Sequence, residues 1–483
     1  MGLLALTATG ICSMIGAAIN VIPFMIQKNV PGIGPYVLQA YVCAAIPAML
    51  AAFAYAILAS AMPRAGGSYV YASRALNPFL GFVASFSQWF GLSTAIGVVS
   101  YVLVAFLRDI ALPLGFSDLA HTMESGWARP AIALAFLWFF VGVNLLGLKS
   151  YERALIPLMV VMFAAGFIVI VAGFAFNQAD FALALQAREN RAVPPMTPVP
   201  FDLSRFLAAA SILFSSFIGF DSIAQAGGEA KNPGRNLPLA IGIAVVTVGA
   251  FYMLFTAAVY HAVPWTYVAE QAMTRDVTAP GLLGMLLPAG WTVAIVAGAA
   301  VALANDLPAM LLAVSRLMFA WAEDGIAPKA LARVHPRWGT PHIALLASGL
   351  MASVGILGSH LASDFFLGVD ILVTSMLVNF LLMCASVLAL PATNPAIARR
   401  ITVLPSRSLQ APIAGLGVVL LSGFLAVHIA KDLAAPVSHW ALRSTFVWIV
   451  VMTFASFIYW LEVRKLRRQG FDLDAHFKAL PAE

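Results

Sequence analysis

Charge is scarce in this sequence. Only 10% of its 483 residues are Asp, Glu, Lys or Arg, and 61% are hydrophobic; a typical soluble domain is roughly 25% charged. That shortage excludes an ordinary soluble globular domain. Cysteine is nearly absent. Cys12, Cys43 and Cys384 are the three present, all in apolar stretches. Their odd number and their spacing exclude a disulfide framework and a cysteine metal site. The eight histidines stand near the ends of apolar segments, in loops or in the tail. An intramembrane enzyme needs a nucleophile and base, or metal ligands, at one depth; no such set is visible. No polar stretch is long enough for a soluble domain. The longest connection expected to lack a helix is 177–203.

What the chain has is apolar runs. Uncharged runs of about 18 residues or more read as membrane helices. Twelve are expected, near 3–27, 36–62, 79–107, 130–148, 154–176, 204–230, 237–262, 288–321, 342–359, 365–391, 411–430 and 441–461. The fold class is therefore an all-α membrane protein with twelve transmembrane helices. The first run lacks a basic leader and a cleavage site, so it reads as retained rather than as a signal peptide. The net charge of +6 is topology rather than a nucleic-acid footprint. With a cytoplasmic N-terminus, inside connections carry 17 of the 27 Lys and Arg, and outside ends carry 9. This bias follows the positive-inside rule and places both termini in the cytoplasm of a multi-pass cell-membrane protein. The partners expected are the lipid bilayer and a small molecule, with no nucleic acid.

The first run holds "SMIGAA" at 13–18, and the sixth holds "SFIGFD" at 216–221. Each puts small residues and a glycine halfway across an apolar segment. Close packing alone would account for one such segment. Two matched segments, five runs apart and therefore of opposite direction, point instead to interrupted helices in an inverted repeat. A backbone group without a partner in hydrocarbon costs several kcal/mol, so irregular backbone survives there only beside protein or a cavity. A break at Gly16 or Gly219 leaves N–H groups at the start of one half-helix, which suit an anion. It leaves carbonyls at the end of the other, which suit an ammonium or a metal cation. A zwitterionic amino acid carries both charges. Acids at membrane depth are functional candidates by default. Asp221 follows the second break. Asp306 precedes Pro308, which cannot donate to the carbonyl of Ala304. Asp306 and that carbonyl together suit Na+ or a proton. Asp370 falls near an outer end. Asn20 and Gln88 suit either a pocket or an interhelical hydrogen bond. Phe217 and Phe220 flank Gly219, where they either pack or close over a substrate.

These stretches resemble a known family. "SMIGAAINVIP", "PRAGGSYVYASRALNPFLGF", "FSSFIGFDSIAQAGGEAKNPGRNLPLAI" and "SRLMFAWAEDGIAPKALARVHPRWGTPHIALL" are similar, in order, to signatures of the amino acid–polyamine–organocation (APC) permeases. The resemblance implies a LeuT-type fold with two inverted five-helix repeats, about 1–176 and 204–391, in a core over 1–391. Two further helices over 411–461 and a cytoplasmic tail over 462–483 follow. It implies a secondary active transporter of amino acids, with no cofactor and with H+ or Na+ as coupling ion. Backbone at Gly16, Ala17 and Ala18 would hold the carboxylate. Carbonyls of Met14 and of Ser215, Ser216, Phe217 and Ile218 would hold the amine. Side chains around Ser215 to Phe220 would act as an outer gate, and Asn20, Gly219 and Phe220 are counted with the substrate-binding residues. Asp221, Ala304 and Asp306 would serve coupling or gating, with Na+ near the last two. In three places the chain departs from the family pattern. Ala18 replaces a usual second glycine, and Asn20 a usual bulky apolar residue. The run 154–176 also lacks the lysine that replaces sodium in some proton-coupled members. A polyamine or other organic-cation carrier of the same fold is the alternative.

Overall fold

The computed structural model describes residues 1–481 apart from Thr197, Ser363 and Ser438; the side chains of Ala17, residues 148–154, Trp440, Asp474 and Ala475 are likewise outside the description, as are Ala482 and Glu483 of the expected tail. The described residues form helices and connections. In chain order these are α1 Leu3–Met14, α2 Ala17–Asn29, α3 Val37–Ala61, α4 Gly67–Ala75, α5 Pro78–Ala111, α6 Ser117–Glu124 and α7 Ala128–Leu145. There follow α8 Leu148–Ala175, α9 Gln178–Glu189, α10 Leu203–Leu213, α11 Asp221–Gln225, α12 Pro233–Ala262, α13 Trp265–Thr274 and α14 Ala279–Leu283. The last group is α15 Ala289–Glu323, α16 His342–Leu361, α17 Phe366–Thr393, α18 Pro395–Ala398, α19 Arg407–Ala434, α20 Ser444–Arg468 and α21 Leu473–Lys478.

Among the described residues, eleven helical stretches are long and apolar enough to cross a membrane, counting α1 and α2 as one. The chain is a multi-pass membrane protein. The remaining expected segment, 204–230, is not one helix. It is α10, a 3-10 turn over Phe214–Phe217, the short α11 and a second 3-10 turn over Gly227–Glu229. The connection 177–203 also differs from expectation, because it contains α9. Asn177 accepts from the N–H groups of Ala179 and Asp180, and Asp180 accepts from Asn177 N in return. This reciprocal cap satisfies donors that a helix start leaves open. Its local signal, Asn-x-x-Asp, was in the sequence but stood outside any apolar run.

Which helices sit inside follows from which faces carry small residues. α5 lies at the centre, packed against α15, α16 and α17. Any side chain on Gly97 would meet the Ala352 carbonyl of α16, and one on Gly355 would come within 2.7 Å of the Thr94 carbonyl of α5. Bare glycines let these two backbones approach closely. The rim helices show the reverse pattern. Val160 and Phe167 of α8, Val419 of α19 and Phe454 of α20 are exposed apolar side chains. In a membrane they meet lipid. α5 begins with Asn77, whose side chain accepts from Leu80 N at 2.8 Å, and with Pro78 in its first turn. Its 34 residues span ~51 Å at about 1.5 Å each, well beyond a bilayer's hydrocarbon core.

Candidate functional site between two interrupted helices

The two Ser-x-Ile-Gly stretches are both breaks, and they touch. α1 ends at Met14, Ile15 turns out with its N–H on the Ile11 carbonyl, and α2 starts at Ala17. Gly16 has φ −146° and ψ −121°, a conformation outside the helix. In the second break Gly219 has φ +135°, a region that only glycine occupies easily. Its α-carbon lies against the Ser13 carbonyl, so any side chain there would collide with backbone. Beside Gly16 the space is filled by the Asp306 carboxylate. Thus α15, the helix that carries Asp306, closes on the first break from the side.

A cavity opens where these elements meet. The first break and α2 contribute Ser13, Met14, Ala18, Val21 and Ile22, and the second contributes Ser215 and Ile218. α15 contributes Asp306 and Met310. The opposite wall is a stripe of α5, Leu92, Ala95, Val98, Val99 and Val102, together with Phe365, Val369 and Leu372 at α17. Asp306 is 5% exposed, and its Oδ1 has no hydrogen-bond partner. The hydroxyl oxygen of Ser215, in the same lining, has none either, and Ser216 lies outside the lining. Buried polar atoms are almost always paired, so unpaired ones facing a cavity mark where a ligand would complete them.

The expected residues divide into three groups. Met14, Ala18, Ser215, Ile218 and Asp306 line this cavity, and Gly16 lies behind Asp306. Ala17 begins α2 at the break, with its side chain outside the described residues. The rest lie elsewhere. Asn20 donates to the Gly16 carbonyl at 3.1 Å and faces a separate small cavity with Met162 and Phe251. Phe217 stands edge-on to Tyr41 and Tyr252, and Phe220 stacks on Phe380 with centroids 5.1 Å apart. Ala304 is half-buried on α15, outside the cavity lining. Asp221 is fully buried beneath the second break. It accepts from Gly219 N at 3.0 Å and from Gln88 Nε2. Gln88 in turn accepts from Ser68 Oγ and from Gln225 Nε2. Gln88 is therefore an interhelical connector, and this network ties α11 to α5 and α4.

Sequence reasoning missed three things. The α5 wall was legible as small and β-branched residues at helical spacing, but lining and packing stripes look alike in an apolar helix. Tyr252 of α12 donates to the Met14 carbonyl, using one of its two lone pairs. Nothing local to Tyr252 signals that contact. The third is a polar closure at one end of the bundle. Arg74 of α4 pairs with Asp324, just past α15, at 2.8 Å, and His476 of α21 reaches the same carboxylate at 2.9 Å. The Phe477 ring lies 4.7 Å from the Arg74 guanidinium, whose Nε donates to the Ala479 carbonyl. Asp370 is also placed: it pairs with Lys431 of α19 at 3.5 Å.

Two touching helix breaks, a buried acid with an unpaired oxygen and a cavity meet inside the bundle of a multi-pass membrane protein. The comparison with known sequences makes the assignment specific. The profile described as Amino acid permease matches residues 1–459, and the chain belongs to that family, within the APC superfamily. It is 27% identical over 376 residues to the branched-chain amino acid permease BcaP of Bacillus subtilis, covering 75% of each chain. It is 26% identical over 362 residues to human cationic amino acid transporter 4, covering 72% of this chain and 54% of that one. To the vacuolar cationic amino acid transporter 4 of Arabidopsis thaliana it is 29% identical over 358 residues, with 72% and 56% covered. The chain thus spans about half the length of the two cationic transporters and three quarters of BcaP. The family and these relatives are transporters, not enzymes.

Proposed function

We propose that the protein is a secondary active transporter of amino acids that works by alternating access around the cavity between the two breaks. The observation that carries this reading is the unpaired, buried Asp306 Oδ1 and Ser215 Oγ facing a cavity bounded by both interrupted helices. The start of α2 offers N–H groups without intrahelical partners to the substrate carboxylate. Carbonyls at Met14 and at Ser215–Ile218 receive the ammonium. Asp306 serves the coupling cation, H+ or Na+, beside the first break. The fold that goes with this reading has twelve crossings, the broken α10–α11 stretch being the sixth, arranged as two inverted five-helix repeats plus α19 and α20. Both termini then lie in the cytoplasm of a cell-membrane protein. The Arg74–Asp324 closure faces the cytoplasm, and the cavity runs from mid-depth toward the outside along α5.

A polyamine carrier would need a second anion at the cavity. Asp221 is its natural candidate, but Gln88 and Gly219 already occupy it and it lines no part of the cavity. The amino acid reading is therefore preferred. The test is uptake of labelled amino acids and, in parallel, labelled polyamines into proteoliposomes, with an inward Na+ gradient, an inward H+ gradient or none. Gradient-driven accumulation of amino acids is expected. Accumulation of polyamines alone would replace this reading with the alternative.

A further inference from the structure

The cavity has one polar end and an otherwise carbon wall. Its polar side chains, Ser13, Ser215 and Asp306, all come from the two breaks and the stretch of α15 that closes on Gly16. Away from them the lining is apolar: Val98, Val99 and Val102 of α5 and Val369 and Leu372 of α17, with Phe365 and Met310. Among the described residues, Asp306 is the only charged one that lines it. The acid nearest the Phe365 end in sequence, Asp364, accepts from Phe366 N at 3.0 Å and so caps α17.

From this we infer that the site selects amino acids with an uncharged, aliphatic side chain of the leucine, isoleucine and valine kind, with Val99 among the residues that read it. The inference rests on the transporter reading above and deepens it. A substrate's ammonium and carboxylate use the polar end. What remains of the substrate then faces carbon on every side. A second ammonium or a guanidinium on the side chain would lose its water and find no acid to replace it, which a buried charge tolerates poorly. An aliphatic side chain gains instead, by about fourfold in affinity for each methylene removed from water. Sequence identity does not make this choice, since relatives named for cationic and for branched-chain amino acids match about equally well.

The experiment uses the purified full-length chain. Leucine, valine, alanine, lysine, arginine and putrescine are each tested for thermal stabilisation of the protein and for uptake into proteoliposomes. Leucine and valine should act at about tenfold or more lower concentration than alanine, and lysine and arginine should be without effect. Two variants locate the selectivity. Val99→Ala should weaken leucine about tenfold and leave alanine unchanged. Val99→Asp should admit lysine and lose leucine, a gain that misfolding cannot imitate. Lysine or arginine acting as strongly as leucine would overturn the aliphatic assignment while the transporter reading stands. A Val99→Asp protein that still binds alanine, prefers leucine and rejects lysine would overturn the role of Val99. No stabilisation and no uptake with any of the six compounds would contradict the transporter reading itself.

Discussion

Two glycines and one acid set the chemistry of the site. Gly16 was legible in the sequence because a glycine at mid-depth has no reason to be there unless backbone must turn or approach something. What it approaches was not legible, since Asp306 lies almost three hundred residues away. Replacing Gly16 by Ala puts a methyl where the Asp306 carboxylate sits. That carboxylate can move, so the variant should fold but lose at least about tenfold in transport, because a misplaced group costs far more in function than in stability. A Gly16→Ala protein with unchanged uptake would separate Asp306 from the mechanism. Gly219→Ala is harsher. Its φ of +135° and the backbone carbonyl of Ser13 leave no room, and a forced conformation of this kind costs roughly 1–3 kcal/mol. Lower thermal stability in detergent is the expected outcome. Asp306→Asn keeps the shape and removes the charge. Gradient-driven accumulation should be lost while stabilisation of the protein by its substrate remains measurable. Unchanged coupled uptake in Asp306→Asn would remove the cation role.

Elements were easier to find than their interruptions were to place. Apolar length alone located the long helices, because lipid demands it. The stretch 204–230 looked continuous for the same reason: hydropathy does not register whether backbone groups bond i to i−4. Asn20 was misleading at this scale. It stands on the first turn of α2 beside the break, yet points back to the Gly16 carbonyl and away from the cavity. The closure by α4, α15 and α21 could not be read locally, since Arg74, Asp324 and His476 come from three distant parts of the chain. Burial raises the Asp324 carboxyl, but the Arg74 charge with the hydrogen bonds from Arg74 and His476 outweighs it, and the net position is below the ordinary 3.8. A lowered carboxyl stabilises the fold above its ordinary value and loses that contribution as pH falls through the lowered one. The stability advantage of the native chain over Asp324→Asn should therefore hold from about pH 5 to 8 and shrink below about pH 4. Thermal unfolding across that range checks it, and an advantage that grows on acidification would show that the carboxylate is not held by Arg74.

For the molecule as a whole, the sequence carried the membrane class and the family, because hydropathy and four motifs are each continuous stretches of chain. The cavity is different. It is a property of six elements at once, and only its two backbone breaks and Asp306 were visible beforehand. The central claim is that substrate occupies this cavity, between the breaks and the α5 wall. Ala95 lies in that wall and is 5% exposed. The most direct test places a thiol there, as Ala95→Cys, in a chain whose Cys12, Cys43 and Cys384 are replaced by Ala. The rate of its modification by a small thiol reagent is then followed in proteoliposomes, with and without the amino acid that the uptake assay identifies. Saturating substrate should slow modification at least about tenfold, and Asp306→Asn, which keeps the cavity, should preserve the protection. Equal rates with and without a transported substrate would place the binding site elsewhere and contradict the account.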